Sequence, residues 1–176
     1  MEEIKLVFPT EEMEQAAAEF VAEHAHHGEK SIHGGAGIQH AANYAEWLRT
    51  LRNNLHENTV QDGRVPSTTY FARRKSDNMI VGIIDIRHRL NDFLEKWGGH
   101  IGYGIRPTMR RKGYATQMLA LALQESKRLG MGRALIICNS DNEASRATIL
   151  KNGGVFWDEI PDPDGTLVQR YWIYIP

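Results

Sequence analysis

A chain of 176 residues and 20.0 kDa is the size of one domain and long enough to bury most of a core. Its 21 basic and 22 acidic side chains leave a net charge of −1 and a pI of about 6.7, so no overall field draws it to nucleic acid or anionic lipid. The single cysteine, Cys138, excludes an intrachain disulfide; with no signal peptide and no apolar run near the roughly 18 residues of a membrane span, a cytoplasmic protein is expected.

Ile4 to Phe8 reads as a first strand stopped by Pro9, and Thr10 as the N-cap of a helix reaching about His24, with Glu11, Glu12 and Glu14 in its first turn, where the helix dipole favours acids. A glycine-rich loop (Gly28, Gly34, Gly35, Gly37) leads to a second helix over about Gln39 to Leu55. After a polar connection from Asn58 to Pro66, the runs Thr68–Arg73 and Ile80–Arg87 read as a hairpin around Lys75-Ser76-Asp77-Asn78. Leu90 to Lys96 is a short helical turn and His100 to Ile105 a strand. The main helix runs from Gly113 to Leu129, ended by Gly130. Its middle, Met118 to Leu123, is apolar nearly all round and therefore buried. Ala134 to Cys138 is a buried strand, Asn142 to Asn152 a helix with Gly153 at its C′ end, and Val155–Asp158 and Val168–Ile175 are two last strands around Pro161-Asp162-Pro163-Asp164-Gly165.

The junction before the main helix carries the chemistry. Arg110-Arg111-Lys112-Gly113-Tyr114-Ala115 links a strand and Pro107 to a helix. The first N–H groups of a helix lack intrahelical partners and sit at the positive end of its dipole, so this is an anion site. Gly113 lets an oxygen approach the backbone. Arg106, Arg110, Arg111 and Lys112 surround the turn, and no carboxylate occurs between Arg106 and Gln124 to cancel them. Cations here oppose the dipole and cost stability until an anion arrives. A bound pyrophosphate is expected. The spacing is neither that of a Walker loop, which also needs a hydroxyl for magnesium, nor that of the three-glycine dinucleotide fingerprint.

The pattern Arg110-x-x-Gly113-x-Ala115 resembles the coenzyme A loop of the GNAT superfamily of N-acyltransferases. The resemblance extends over about residues 99 to 156. Gly102-Tyr103-Gly104-Ile105-Arg106-Pro107 is similar to that family's fourth strand, Leu135-Ile136-Ile137-Cys138-Asn139 to its fifth, and Asn142-x-x-Ser145 with Lys151-Asn152-Gly153-Gly154 to its next helix and exit. The resemblance implies an α/β (α+β) fold: a mixed, mostly antiparallel sheet of about seven strands, the fourth and fifth splayed apart, flanked by about four helices. It implies one acetyltransferase domain over 1–176. Residues 1–66 would border the acceptor, 67–156 would bind acetyl-CoA, and 157–176 would be the closing strands. It further implies that the pantetheine arm inserts between the splayed strands, pairing with the backbone of Tyr103, Ile105 and Arg106. Cofactor contacts would come from Ile105, Arg106, Arg110, Arg111, Lys112, Gly113, Tyr114, Ala115, Thr116, Asn139, Asn142 and Ser145. The implied activity is direct transfer of acetyl from acetyl-CoA to a primary amine, with a non-catalytic acyl-CoA-binding module of the same fold as the alternative.

Acetyl transfer from a thioester requires removal of a proton from the amine and protonation of the leaving thiolate. Many GNAT members have a carboxylate on the fourth strand, which has none here. His100 is the nearest base, titrating near working pH. Asp85 and His88 are the alternatives, on opposite faces by strand period. The tyrosine that many relatives carry seven residues after the helix asparagine is Ile149 here, leaving Ser145, Tyr103, Cys138 or water to protonate the thiolate. His24, His26, His27, His33 and His40 crowd one stretch but without cysteine or a His-Glu pattern, so no metal is expected, and the stretch reads as a loop facing solvent or acceptor. The expected partners are acetyl-CoA and an amine acceptor, without nucleic acid or membrane, on a monomer or homodimer.

Overall fold

The computed structural model describes residues 2–176. Seven strands form two sheets. The larger has the order β1-β2-β3-β4 (β1 Ile4–Val7, β2 Ser67–Arg74, β3 Ile80–Arg87, β4 Ile101–Ile105), and the smaller the order β5-β7-β6 (β5 Arg133–Asn139, β6 Val155–Pro161, β7 Leu167–Tyr174). Every ladder is antiparallel. Four α-helices cover the sheets: α1 Glu14–His26, α2 Tyr44–Asn54, α3 Tyr114–Arg128 and α4 Glu143–Lys151. The mixed α/β, splayed-strand architecture implied by the sequence resemblance is therefore observed, with the splay complete enough to divide the strands into two sheets.

Alternation along the strands separates two cores. On one face Val81, Ile84, Ile86, Ile101 and Ile105 pack with Met118, Leu119 and Ala122 of α3, and with Ile149 of α4. The apolar middle of α3 is buried as its composition predicts; Met118, Leu119 and Ala122 are inaccessible. On the other face Phe71, Ile80 and Ile83 pack with Ala17 and Phe20 of α1 and with Trp47 and Leu51 of α2. The same face of β4 carries Gly102 and Gly104, opposite Asp85 and Ile83 of β3.

Several boundaries differ from the sequence-based expectation. Thr10 precedes a 3-10 turn, Glu11–Met13, and its side chain makes no capping bond; its carbonyl instead accepts the Tyr44 hydroxyl at 2.8 Å. The second helix begins at Tyr44 rather than near Gln39, because Asn43 caps it by accepting the Glu46 amide at 2.9 Å, and Ile38–His40 forms a separate 3-10 turn. The helical turn before β4 is of π type, Leu94–Gly98. Strand β6 continues to Pro161, past the charged Asp158 and Glu159, which pair along it with β7.

Candidate active site

Strands β4 and β5 meet at one point and then diverge. His100 donates its amide to the Leu135 carbonyl at 2.7 Å, and the Leu135 amide is accepted by His100 Nδ1 at 2.9 Å. Beyond this joint each strand pairs only with its other neighbour. On β4, residues 100, 102, 104 and 106 direct their backbone groups to β3, as shown by Arg87 N–H to His100 O and Arg106 N–H to Val81 O. Ile101, Tyr103 and Ile105 therefore turn theirs towards the gap. On β5 the phase set by Leu135 turns Ile137 and Asn139 the same way. Two open edges face each other, the arrangement into which an extended amide-bearing chain adds as a strand.

At the mouth of this gap stands the N-terminus of α3. Gly113, its N-cap, has φ +82°, no side chain caps the helix and its first turn holds no acid. Arg111 is also left-handed, with φ +59°. Backbone N–H groups that converge in such a turn form an anion-binding concavity. The side chains of this turn divide. Arg111 and Lys112 are exposed and form no ion pair among the described residues. The Tyr114 ring is buried in the core, its hydroxyl donating to Glu2 at 3.1 Å, so its free group at the turn is the backbone amide. Ala115 and Thr116 follow in the first helical turn; the Thr116 carbonyl accepts Asn152 Nδ2 at 3.2 Å, tying α3 to α4.

Two of the four expected phosphate cations are spoken for, which corrects the expectation that no carboxylate cancels them. Arg106 is buried, lies over the Phe20 ring at 5.8 Å and pairs with Glu23 at 3.3 Å. Arg110 is forked by Glu29, at 2.6 and 2.9 Å, and its Nε donates to the Ile105 carbonyl at 3.1 Å. The carboxylates arrive from α1 and the turn after it, far away in sequence.

The candidate catalytic groups fall in three places. His100 is at the joint; burial, then Arg87 and Arg133, push its pKa down to about 4, and its Nδ1 is already an acceptor. That geometry speaks against a base. Asp85 is buried on the face shared with Gly102, accepting the Thr69 hydroxyl at 2.8 Å with Arg87 Nε at 3.5 Å; burial raises its pKa. His88 shares a 2.8 Å hydrogen bond with Thr68 through Nε2, on the opposite face from Asp85, as strand period requires. Between the splayed strands, on the α4 side, Tyr103 Oη and Ser145 Oγ are 2.8 Å apart. Burial pushes the phenol up to about 12 and also raises the Cys138 thiol, which the Ser145 hydroxyl contacts. A β4 hydroxyl thus lies beside α4, the helix that carries Ile149 where many relatives of the resembled family have tyrosine. Asn142 caps α4 by accepting the Ser145 amide at 3.0 Å, and Asn139 is exposed at the end of β5.

Over the Asp85 face of β4 lies the loop after α1. His33 O and Gly34 rest on Gly104 and Gly102 so closely that a Cβ on Gly104 would stand 2.8 Å from His33 O. The sequence showed a glycine-rich loop and a glycine-rich strand without showing that they pack on each other. Among the described residues no three His, Cys, Asp or Glu side chains cluster to hold a metal, and no helix is long and apolar enough to cross a membrane.

Splayed strand edges beside an uncapped, glycine-led helix are the arrangement that the resemblance to the coenzyme A loop implied. The chain belongs to the acetyltransferase (GNAT) domain family, whose model matches residues 8–155. Among solved structures, RimJ of Mycobacterium smegmatis in complex with CoA-disulfide superposes with a TM-score of 0.71 at 19% identity, covering 97% of this chain and 81% of that one. RimL, a ribosomal L7/L12 alpha-N-protein acetyltransferase in complex with coenzyme A, gives 0.70 at 19%, with 98% and 94% covered. The microcin C7 self-immunity acetyltransferase MccE, in complex with acetyl-CoA and AMP, gives 0.68 at 21%, with 98% and 93% covered. At these identities the likeness is one of fold. No curated protein matches the sequence.

Proposed function

We propose that this protein transfers the acetyl group of acetyl-CoA directly to a primary amine of a small molecule or protein, both substrates being bound at once. The observation that carries this reading is the alignment of an uncapped α3 N-terminus with two open strand edges and a half-buried hydroxyl between them. Acetyl-CoA supplies the activated thioester. The amides of Gly113 to Thr116, with Arg111 and Lys112, hold its pyrophosphate, and the free backbone groups of Tyr103 and Ile137 hold its pantetheine arm. The open Ile105 carbonyl expected to share that task is occupied by Arg110.

The amine approaches from the Asp85 side of β4, beside the loop that carries His33 and Gly34. Its nitrogen attacks the acetyl carbon as one proton passes to Asp85 through an intervening water; the C–N bond forms and the C–S bond breaks. A carboxylate with a raised pKa is a stronger base than an ordinary one. The thiolate takes the Tyr103 proton, with Ser145 fixing the phenol. Buried Cys138, its thiol pKa raised, is a poor nucleophile, which favours direct transfer over an acyl-cysteine.

The second reading, a module that binds acyl-CoA without turnover, draws support from the engaged lone pairs of His100 and Asp85. Free thiol released from acetyl-CoA in the presence of a mixed amine panel separates the two. Amine-dependent release supports transfer. Tight binding with no release by any amine of the panel leaves the binding module.

A further inference from the structure

Glu29 belongs to none of the strands or helices that form the cofactor cleft, yet its carboxylate makes three side-chain bonds beside it. Its Oε1 accepts Arg110 Nη1 at 2.6 Å; its Oε2 accepts Arg110 Nη2 at 2.9 Å and shares a 2.7 Å bond with His24 Nδ1. Arg110 Nε closes the set on the Ile105 carbonyl. One guanidinium therefore joins the turn after α1, the last residue of β4 and the loop that leads into α3. Its planar fork is matched to the carboxylate in two parallel bonds, a geometry lysine cannot reproduce.

A second carboxylate reinforces the first. Glu23 Oε1 accepts the Thr108 amide at 3.0 Å and the Thr108 hydroxyl at 2.8 Å. Behind Glu29, His24 is 2% exposed. Arg111, directly after the clamped Arg110, is αL, and so is Gly113 two residues further on. For arginine that conformation costs roughly 1–2 kcal/mol, and such strain persists only where the surroundings over-determine it.

A guanidinium whose fork is held by a carboxylate and whose Nε is held by a carbonyl has little left to offer a phosphate. We infer that Glu29 is a positioning residue for the cofactor turn, acting through Arg110: it locks the guanidinium onto Ile105 and so fixes the turn that aims the α3 amides. Arg110 is on this account a strut, and Arg111 and Lys112 supply the cationic contacts. The inference rests on reading the turn as a pyrophosphate site.

The test is a double-mutant cycle on coenzyme A affinity by calorimetry, using Glu29→Gln, Arg110→Met, Arg110→Lys and the double variant Glu29→Gln/Arg110→Met, alongside amide exchange without ligand. Glu29→Gln should weaken binding about tenfold, and the double variant should be no weaker than Arg110→Met alone, as expected of residues in one network. Arg110→Lys should lose nearly as much as Arg110→Met, although it keeps the charge. In steady state KM for acetyl-CoA should rise with kcat unchanged. Without ligand, Glu29→Gln should speed exchange at Met109 and Arg110 and leave mid-α3 amides protected. Unchanged or tighter binding by Glu29→Gln, additive losses, or full activity with Arg110→Lys each overturn the inference. If the parent binds no coenzyme A, the functional reading fails by itself, and the exchange experiment alone decides whether Glu29 holds the turn.

Discussion

His100 Nδ1 accepts the amide proton of Leu135 at 2.9 Å, so a side chain stands in for a backbone carbonyl at the point where β4 and β5 part. The neutral ring is required, since imidazolium has no acceptor. Burial and the nearby guanidinium groups of Arg87 and Arg133 push the ring's pKa in the folded state down to about 4, from the usual histidine value of about 6.5. Between those values the unfolded chain binds more protons, so stability falls as pH drops from about 6.5 to 4 and is fully present above. His100→Asn, whose amide oxygen can accept the same proton, should flatten that dependence in urea titrations at pH 4.5 and 7. An unaltered slope would show that His100 does not titrate as its surroundings imply.

The same variant bears on catalysis. His100→Asn should keep acetyl transfer within about threefold of the parent, whereas loss of a true general base costs about 10²–10⁴. A loss in that range, with the acidic limb of the pH–rate profile gone, would return the base role to His100. Asp85→Asn is the counterpart and should bring the larger fall.

Tyr103→Phe should lower kcat about 10²-fold, the low end for a positioned acid, since a coenzyme A thiol is a tolerable leaving group. Ser145→Ala should lower it less. Acetyl-CoA affinity measured by calorimetry should stay nearly constant for Tyr103→Phe, because Tyr103 offers the arm its backbone rather than its ring. Parental turnover with Phe at position 103 would assign the proton to water.

Gly113→Glu places a carboxylate at the mouth of the α3 N-terminus and should abolish coenzyme A binding. Gly113→Asn is the control for strain, because asparagine tolerates φ near +82°. Calorimetry with both, and circular dichroism to check the fold, separates charge from backbone. Equal binding by all three proteins would remove the pyrophosphate from this turn.

Gly34→Ala adds a methyl against Gly102 at a φ of +73°. Strain and contact should together cost about 2–4 kcal/mol, in the tail of single substitutions, read as a lower Tm. A Tm within one degree of the parent would mean that the loop lifts from β4 at little cost.

Periodicity and turn chemistry made much of this architecture legible. The Met118–Leu123 run marked α3 as buried, and Lys75 to Asn78 marked the β2–β3 turn. The turn proposed for the cofactor stands out in the sequence because its determinants are local: a strand end, Gly113 and a helix start. What stayed hidden is long-range. Nothing near Arg110 in sequence foretells Glu29, and nothing near Arg106 foretells Glu23. The role of His100 depends on which backbone amide lies opposite it, a matter of tertiary register. Tyr103 is one of several possible proton donors in the sequence until α4 brings Ser145 to its hydroxyl.

The joint at His100 and Leu135 has a thermodynamic corollary. Without ligand the two sheets share one backbone-bonded joint, helped by the bonds of Trp97 to the Pro161 carbonyl and Arg170 to the Glu95 carbonyl and by side chains of α3 and α4 packed across them. Backbone protection in β6 and β7 should then be decoupled from that in β1 and β2, as for separate foldons. A strand-like ligand lying between β4 and β5 would bridge them into one cooperative unit, so the cosubstrate would act as a removable eighth strand. Holo and apo forms would differ less in shape than in how many steps they take to unfold.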